Sequence, residues 1–287
     1  QEMLDGGRAT DVVAMFSRYS APATGSQFAM YQRLVSALLT GDMASVAPDS
    51  VLLDAREMMY KVTAALKRSG GGPHVSEFER LLLILHYASL RSVAREHGLT
   101  EMAARLSISL LRFVGAVPAD RAFFEAGIAC RNEKWLSMAF VLLNRYLDVT
   151  EEMDGGDASM IDNSDFVGTD IPSPYDFSLP TVQFLEESKR DEVRDWVLAV
   201  SMDAKMDQTL ATRPCEKCRD PIYEASLVCP KCSSQYPPCV VSGYPVPASQ
   251  RVTCSSCSSI AHKQHWNAYV VKSKACPWCH APQTPVY

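Results

Sequence analysis

The 287-residue sequence has no apolar run long enough to cross a bilayer: its densest stretch, Leu81 to Leu85, falls far below the roughly 18 residues a spanning helix needs. It opens at Gln1 without a basic-then-apolar leader, so neither membrane insertion nor export is expected. No GK[ST] follows Gly70-Gly71-Gly72-Pro73, which makes that run a helix stop and not a phosphate loop. The first half also lacks any grouping of side chains suited to acid/base or nucleophilic catalysis. His86 and His97 are expected as packing or surface residues there, and Cys130 as a small buried hydrophobe.

Basic charge is scarce over most of the chain. Residues 1–212 carry 20 Lys+Arg against 30 Asp+Glu, whereas 213–287 carry 8 against 3. The basic tail suggests nucleic acid until metal is considered. Eight thiolates holding two Zn²⁺ would add about four negative charges and leave the tail nearly neutral. No nucleic-acid partner is therefore expected. Lys and Arg are missing altogether between Arg145 and Lys189, where Asp and Glu gather among Gly, Ser and Pro. Such a segment repels itself and buries little, so 149–180 is expected as an acidic flexible linker. The Asp-x-Asp-x-Asp-Gly…Glu order of a calcium loop is absent from it.

What the sequence does have is helical periodicity and cysteine. Val51, Leu52, Ala55, Met58, Met59, Val62, Ala65 and Leu66 recur at helical spacing, predicting a helix from Asp49 to Arg68 capped by Asp49 or Ser50. A second begins near Ser76, with Glu79 completing a capping box, and runs towards Gly98; a third spans Thr100 to before Pro118. Shorter helices are predicted over Thr10–Ser17, Gln27–Leu39, Arg121–Cys130 and Lys134–Asp148, and a later one over Val182–Met206. Around Ala119 to Asp148 the sequence resembles a tetratricopeptide repeat. Phe123, Gly127, Ala139 and Tyr146 stand where that repeat places its bulky, small, small and packing residues, with Ala126 and Leu143 replacing larger ones. Small residues let two helices approach closely, so that successive pairs stack into a solenoid.

Nine of the ten cysteines lie between Cys215 and Cys279, eight of them in the pairs Cys215/Cys218, Cys229/Cys232, Cys254/Cys257 and Cys276/Cys279. A two-residue spacer turns both thiolates towards one ion, and two such pairs complete a tetrahedral shell. Two closed Cys₄ sites use all eight, with two Zn²⁺ expected, and with no open coordination position they leave no room for metal-ion hydrolysis. An arrangement in which His262 and His265 share an ion with an earlier cysteine pair, as in a cross-braced RING or PHD finger, also fits the spacing. Cys239 has no paired partner. A tail of this size cannot hold itself together by burial alone, and structural zinc contributes on the order of 10–16 kcal/mol.

Two stretches carry a more specific resemblance: Cys215-Glu-Lys-Cys-Arg-Asp-Pro-Ile-Tyr-Glu-Ala-Ser-Leu-Val-Cys, and Tyr236-Pro-Pro-Cys-Val-Val-Ser-Gly-Tyr-Pro-Val. They resemble the C-terminal part of the family of the largest intraflagellar transport complex B subunits. The resemblance implies a scaffold in ciliary trains at the cilium or flagellum and basal body, needed for ciliary assembly and turnaround at the tip. It implies contacts with complex A and other complex B subunits.

The tail is also similar to the U-box and RING folds of ubiquitin ligases. Cys276-Pro277-Trp278-Cys279 matches their CPxC loop, and that similarity implies that Trp266, Pro277 and Trp278 face a ubiquitin-conjugating enzyme or ubiquitin, with weak ligase activity as the only enzymatic prospect. Glu216 and His280 depart from the residues usual at those contacts, and the gap from Cys232 to Cys254 is longer than a RING permits. The expected fold is mostly α. A tetratricopeptide-like α-solenoid over 1–148 is followed by the linker over 149–180, a connecting helix over 181–210, and a small zinc-binding α+β domain of U-box/RING-like type over 211–287.

Overall fold

The structure, a computed structural model, describes residues 2–5, 7–19, 21–70, 72, 74–155, 157–202 and 207–287. Gly71 and Pro73 of the predicted helix stop, and 203–206 at the end of the predicted connecting helix, lie outside the described residues.

The chain is mostly α-helical. Among the described residues, the α-helices before residue 156 are α1 (Glu2–Asp5), α2 (Ala9–Arg18), α3 (Phe28–Leu39), α4 (Asp49–Arg68), α5 (Val75–Glu96), α6 (Thr100–Leu110), α7 (Ala119–Asn132) and α8 (Leu136–Gly155). From α4 to α8 each helix packs on the next. In α4 the buried residues Leu52, Ala55, Met58, Met59, Val62 and Leu66 recur every three or four positions. Each large one removed from water contributes about 1.5–3 kcal/mol. Asp49 in its first turn and Lys67 and Arg68 in its last complement the helix dipole. The predicted Ser76/Glu79 capping box does not form. His74 takes the cap position of α5 without a side-chain cap, and its ring instead hydrogen-bonds Glu77.

α7 and α8 pack closely because Gly127 has no side chain: a Cβ there would lie 2.6 Å from Leu143 Cδ2. Across the repeat, Glu125 of α7 accepts two hydrogen bonds from Arg91 of α5, at 2.6 and 3.0 Å, and one from Arg121 at 3.3 Å. These bonds use both carboxylate oxygens of a group packed between helices, which is what makes its charge tolerable there.

The acidic connector differs from the expectation of a flexible linker over 149–180. α8 continues to Gly155, and beyond it Ile161, Phe166 and Ile171 are buried against the arm. The physical reason is charge supplied from elsewhere. Arg145 donates to Asp162 O at 2.6 Å and lies 4.2 Å from the centre of the Phe166 ring, while Arg112 pairs with Asp170 at 3.0 Å. The segment holds no cations of its own but is laid over those of the helices. Helix α9 (Glu187–Ser201) then packs back on α8, burying Val193 and Val197, with Arg131 over Trp196.

The tail contains two short antiparallel ladders and one helix. β1 (Thr212–Pro214) pairs with β2 (Pro221–Tyr223), β3 (Arg251–Thr253) pairs with β4 (Ile260–His262), and α10 (Lys263–Ser273) follows. Cys215/Cys218 sits in the turn between β1 and β2, and Cys254/Cys257 in the turn between β3 and β4. Val240, Val241, Tyr244, Trp266 and Tyr269 belong to the same continuous core as the arm, whereas Cys215, Ile222, Cys229 and Tyr236 form a small core of their own. Residue 211 therefore marks a change of composition but not a break in packing.

Candidate metal centre

The structure gathers the eight paired cysteines into two groups, Cys215, Cys218, Cys229 and Cys232, and Cys254, Cys257, Cys276 and Cys279. Within each group every sulfur lies within 4.8 Å of the others. In the first, Cys215 Sγ is 3.6 Å from Cys232 Sγ and Cys218 Sγ is 3.7 Å from Cys229 Sγ; in the second, Cys254–Cys279 and Cys257–Cys276 are both 3.9 Å apart. A disulfide needs about 2.05 Å, so none of these is one. Zn–S bonds of about 2.3 Å imply a tetrahedral edge of about 3.8 Å, which matches the spacing found. The donor set of four soft thiols suits a tetrahedral d¹⁰ ion and poorly suits calcium or magnesium.

Local backbone chemistry builds these corners. At each pair the first cysteine's N–H donates to the carbonyl five residues on, as from Cys215 to Asp220 at 2.8 Å. The N–H four residues on donates back to the cysteine carbonyl, as from Arg219 to Cys215 at 3.0 Å. That closing residue must turn left-handed: Arg219, Ser233, Ser258 and His280 have φ between 55° and 65°. N–H groups pointed into the knuckle favour thiolate. The Cys218 N–H, with the Tyr236 hydroxyl next in weight, draws the Cys215 thiol down to about 5.

The arrangement separates two alternatives that spacing leaves open. His262 and His265 belong to neither sulfur group; their rings lie 4.6 Å apart, and His265 Nδ1 hydrogen-bonds Ser242 Oγ at 2.8 Å. Cys239 is buried, its sulfur accepting the N–H of His262 at 3.2 Å.

Trp266, Pro277 and Trp278 lie elsewhere than a surface-groove reading requires. Trp266 is 1% exposed and fills the centre of the tail's packing. Pro277 is buried, its carbonyl accepting a hydrogen bond from Arg56 of α4 at 3.3 Å, and the Trp278 carbonyl accepts from the same guanidinium. The Trp278 ring packs edge-on to His86 and Tyr60, with ring centres 4.8 and 6.2 Å apart. The expectation that these residues face a partner is corrected: the CPxC loop faces α4 and α5, because a buried cation there satisfies its two carbonyls.

Three residues that fasten the tail carry no motif. Arg56 holds the last knuckle. His86 Nε2 donates to Val240 O at 2.7 Å, and burial pushes this imidazole down to about 3, keeping it neutral. Arg112 donates to Asp170 at 3.0 Å and to the carbonyls of Ala225 and Gly243 at 2.9 Å each, joining arm, connector and both parts of the tail. His86 and Arg112 are polar residues in otherwise apolar stretches, whereas Arg56 stands among charged neighbours, Asp54 and Glu57, and leaves no trace in the sequence.

A helical arm sharing its core with a tail of cysteine knuckles defines the chain as a zinc-finger-capped helical protein, and comparison with known proteins agrees. The family described as "IFT121, second zinc finger domain" matches residues 237–284. Intraflagellar transport protein 172 of Chlamydomonas reinhardtii is 39% identical over 286 residues, covering 95% of this chain and 16% of that protein. The homolog in Mus musculus is 36% identical, covering 96% of this chain and 16% of its own length. Intraflagellar transport protein osm-1 of Caenorhabditis elegans is 32% identical, covering 92% and 15%. Over nearly its whole length the chain is thus homologous to part of the intraflagellar transport protein 172 family, spanning about one sixth of those relatives.

Proposed function

We propose that the chain is the C-terminal scaffold and docking region of an intraflagellar transport complex B subunit. In this reading a tetratricopeptide-like arm and a tail holding two Zn²⁺ ions act together, through Cys215, Cys218, Cys229 and Cys232 for one ion and Cys254, Cys257, Cys276 and Cys279 for the other. The observation that carries it is the similarity to the transport proteins along arm and tail alike, which a borrowed zinc finger would not produce. The region engages complex A and other complex B subunits on the cytoplasmic side of the cilium and basal body, and serves ciliary assembly and turnaround of the trains. The zinc contributes stability rather than chemistry, since four thiolates close each shell. This reading is preferred to ubiquitin transfer because Pro277 and Trp278 are engaged by the arm.

The test is replacement of the native copy, in ciliated cells of the source organism, by the full-length protein carrying Cys254→Ser and Cys257→Ser. Shortened cilia with transport particles gathered at the tip are expected. Cilia of ordinary length with ordinary return traffic, at matched protein level, refute the proposal.

A further inference from the structure

Five knuckles in the tail, not four, share one backbone pattern. Cys239 donates its N–H to Tyr244 O at 2.7 Å, five residues on, and Gly243 returns its N–H to Cys239 O at 2.7 Å. Gly243 has φ 73°, the same left-handed turn that closes the four paired knuckles. The position that holds the second thiol in each of the others is here Ser242. Beside it, His265 in the first turn of α10 shares a 2.8 Å hydrogen bond with Ser242 Oγ, and the ring of His262 at the end of β4 lies 4.6 Å from that of His265. Two donors from a knuckle and two from a strand-to-helix turn are the makings of a third tetrahedral ligand set.

The sulfur of Cys239 also behaves as a knuckle sulfur. It accepts the N–H groups of Val241 at 3.4 Å and His262 at 3.2 Å, as Cys276 Sγ accepts that of Trp278 at 3.4 Å. The fourth donor is what differs. Tyr244 N–H donates to Ser242 Oγ at 3.4 Å, and Ser242 Oγ and His265 Nδ1 share a hydrogen bond of 2.8 Å. A serine hydroxyl stays protonated at neutral pH and is a poor zinc donor, whereas thiolate, neutral imidazole and carboxylate are the donors zinc takes from proteins.

The arm supplies the restraint an ion would otherwise give. His86 donates to Val240 O at 2.7 Å, Ser109 to Ser242 O at 3.0 Å and Arg112 to Gly243 O at 2.9 Å. Three of this knuckle's carbonyls, those of Val240, Ser242 and Gly243, are thus held by side chains of α5, α6 and the turn after it. A side chain on Gly243 would run into Ser109 and Tyr87, so the fit is tight as well as polar.

We propose that Cys239, Ser242, His262 and His265 form a third zinc position whose corner is rewired into hydrogen bonds and clamped by the arm, with Ser242 as the residue that keeps it from binding zinc. Replacing that hydroxyl by a thiol supplies the missing anionic donor and yields a Cys₂His₂ shell. Burial holds both imidazoles neutral and His262 Nδ1 is buried without a hydrogen-bond partner, while Cys239 and the two histidines do not gather as closely as the two Cys₄ groups, so an ion would have to draw them together.

The experiment is elemental analysis of the whole chain, purified with excess zinc and gel-filtered, for wild type, Ser242→Cys, Ser242→Cys with His265→Ala, and Cys239→Ser. Ser242→Cys should carry one ion more than wild type, the added His265→Ala should remove it, and Cys239→Ser should leave the wild-type count unchanged. The inference is overturned if wild type loses an ion on Cys239→Ser, which would make Cys239 a native ligand. It is equally overturned if a folded Ser242→Cys chain, judged by circular dichroism, gains no ion. The difference between variants tests this site, while the wild-type count of two tests the Cys₄ assignment separately.

Discussion

Replacing Arg112 by Ala is the sharpest test of how the tail is fastened. The guanidinium is 8% exposed and its partner Asp170 19%, so water screens the pair poorly. It bonds Asp170 at 3.0 Å and the carbonyls of Ala225 and Gly243 at 2.9 Å each. Bonds to charged groups contribute about 1.5–3 kcal/mol each, but they share one side chain and do not add fully. Breaking a buried pair by removing one partner costs about 3–5 kcal/mol, since the other charge is stranded. The remaining Asp170 still accepts the Leu227 N–H at 2.9 Å, which favours the lower part of that range. Arg112→Ala should therefore destabilise the chain by about 3–4 kcal/mol. Arg112→Lys, a single ammonium that cannot reach three acceptors in different directions, should lose about half as much. Urea unfolding followed at 222 nm, with metal release recorded in the same titration, measures both. A loss of under about 1 kcal/mol for Arg112→Ala would show that this residue does not fasten the tail.

His86 gives a pH prediction with a definite sign. Its folded-state value is pushed down to about 3 by burial, from an ordinary 6.5, so below pH 6.5 the unfolded chain binds a proton that the folded chain refuses. Stability falls as pH drops through that window, by about 1.4 kcal/mol per unit for this group. His86→Gln, which can still donate to Val240 O, should flatten the change between pH 6.3 and 5.3 by about 1.1 kcal/mol, since the unfolded imidazole is only partly protonated at the upper end; an unchanged slope in urea midpoints would contradict it. Gly127→Ala places a Cβ 2.6 Å from Leu143 Cδ2 and 3.2 Å from its backbone nitrogen. Overpacking costs about 1–3 kcal/mol, partly offset by about 1 kcal/mol of helix propensity, so a net loss of up to about 2 kcal/mol is expected in thermal or urea unfolding. A stabilised Gly127→Ala would mean that α7 and α8 are free to move apart.

Much of the helical arm is legible because its cause is local. The α4 stripe from Leu52 to Leu66 follows from apolar residues recurring at the turn of a helix, and the structure starts and ends that helix at Asp49 and Arg68 as periodicity predicts. Ser76 and Glu79 show the limit of local rules: the spacing of a capping box is present, yet the helix begins at Val75 and the box is left inside it. The connector shows another. Its composition argues for repulsion within the segment, but the energy depends on Arg112 and Arg145, which lie outside it.

By itself the sequence determines the cysteine corners, since two residues between thiols leave the backbone little choice but a knuckle, and it determines the apolar faces of the helices. Only the tertiary structure decides which knuckles share a sulfur cluster, that His262 and His265 stand apart with Ser242, and that Trp278 turns inward to Arg56 and His86. Those outcomes rest on contacts between residues far apart along the chain, as in Arg56 with Trp278. Their energies come from burying polar groups against exact partners, and no short window of sequence contains both halves of such a bond.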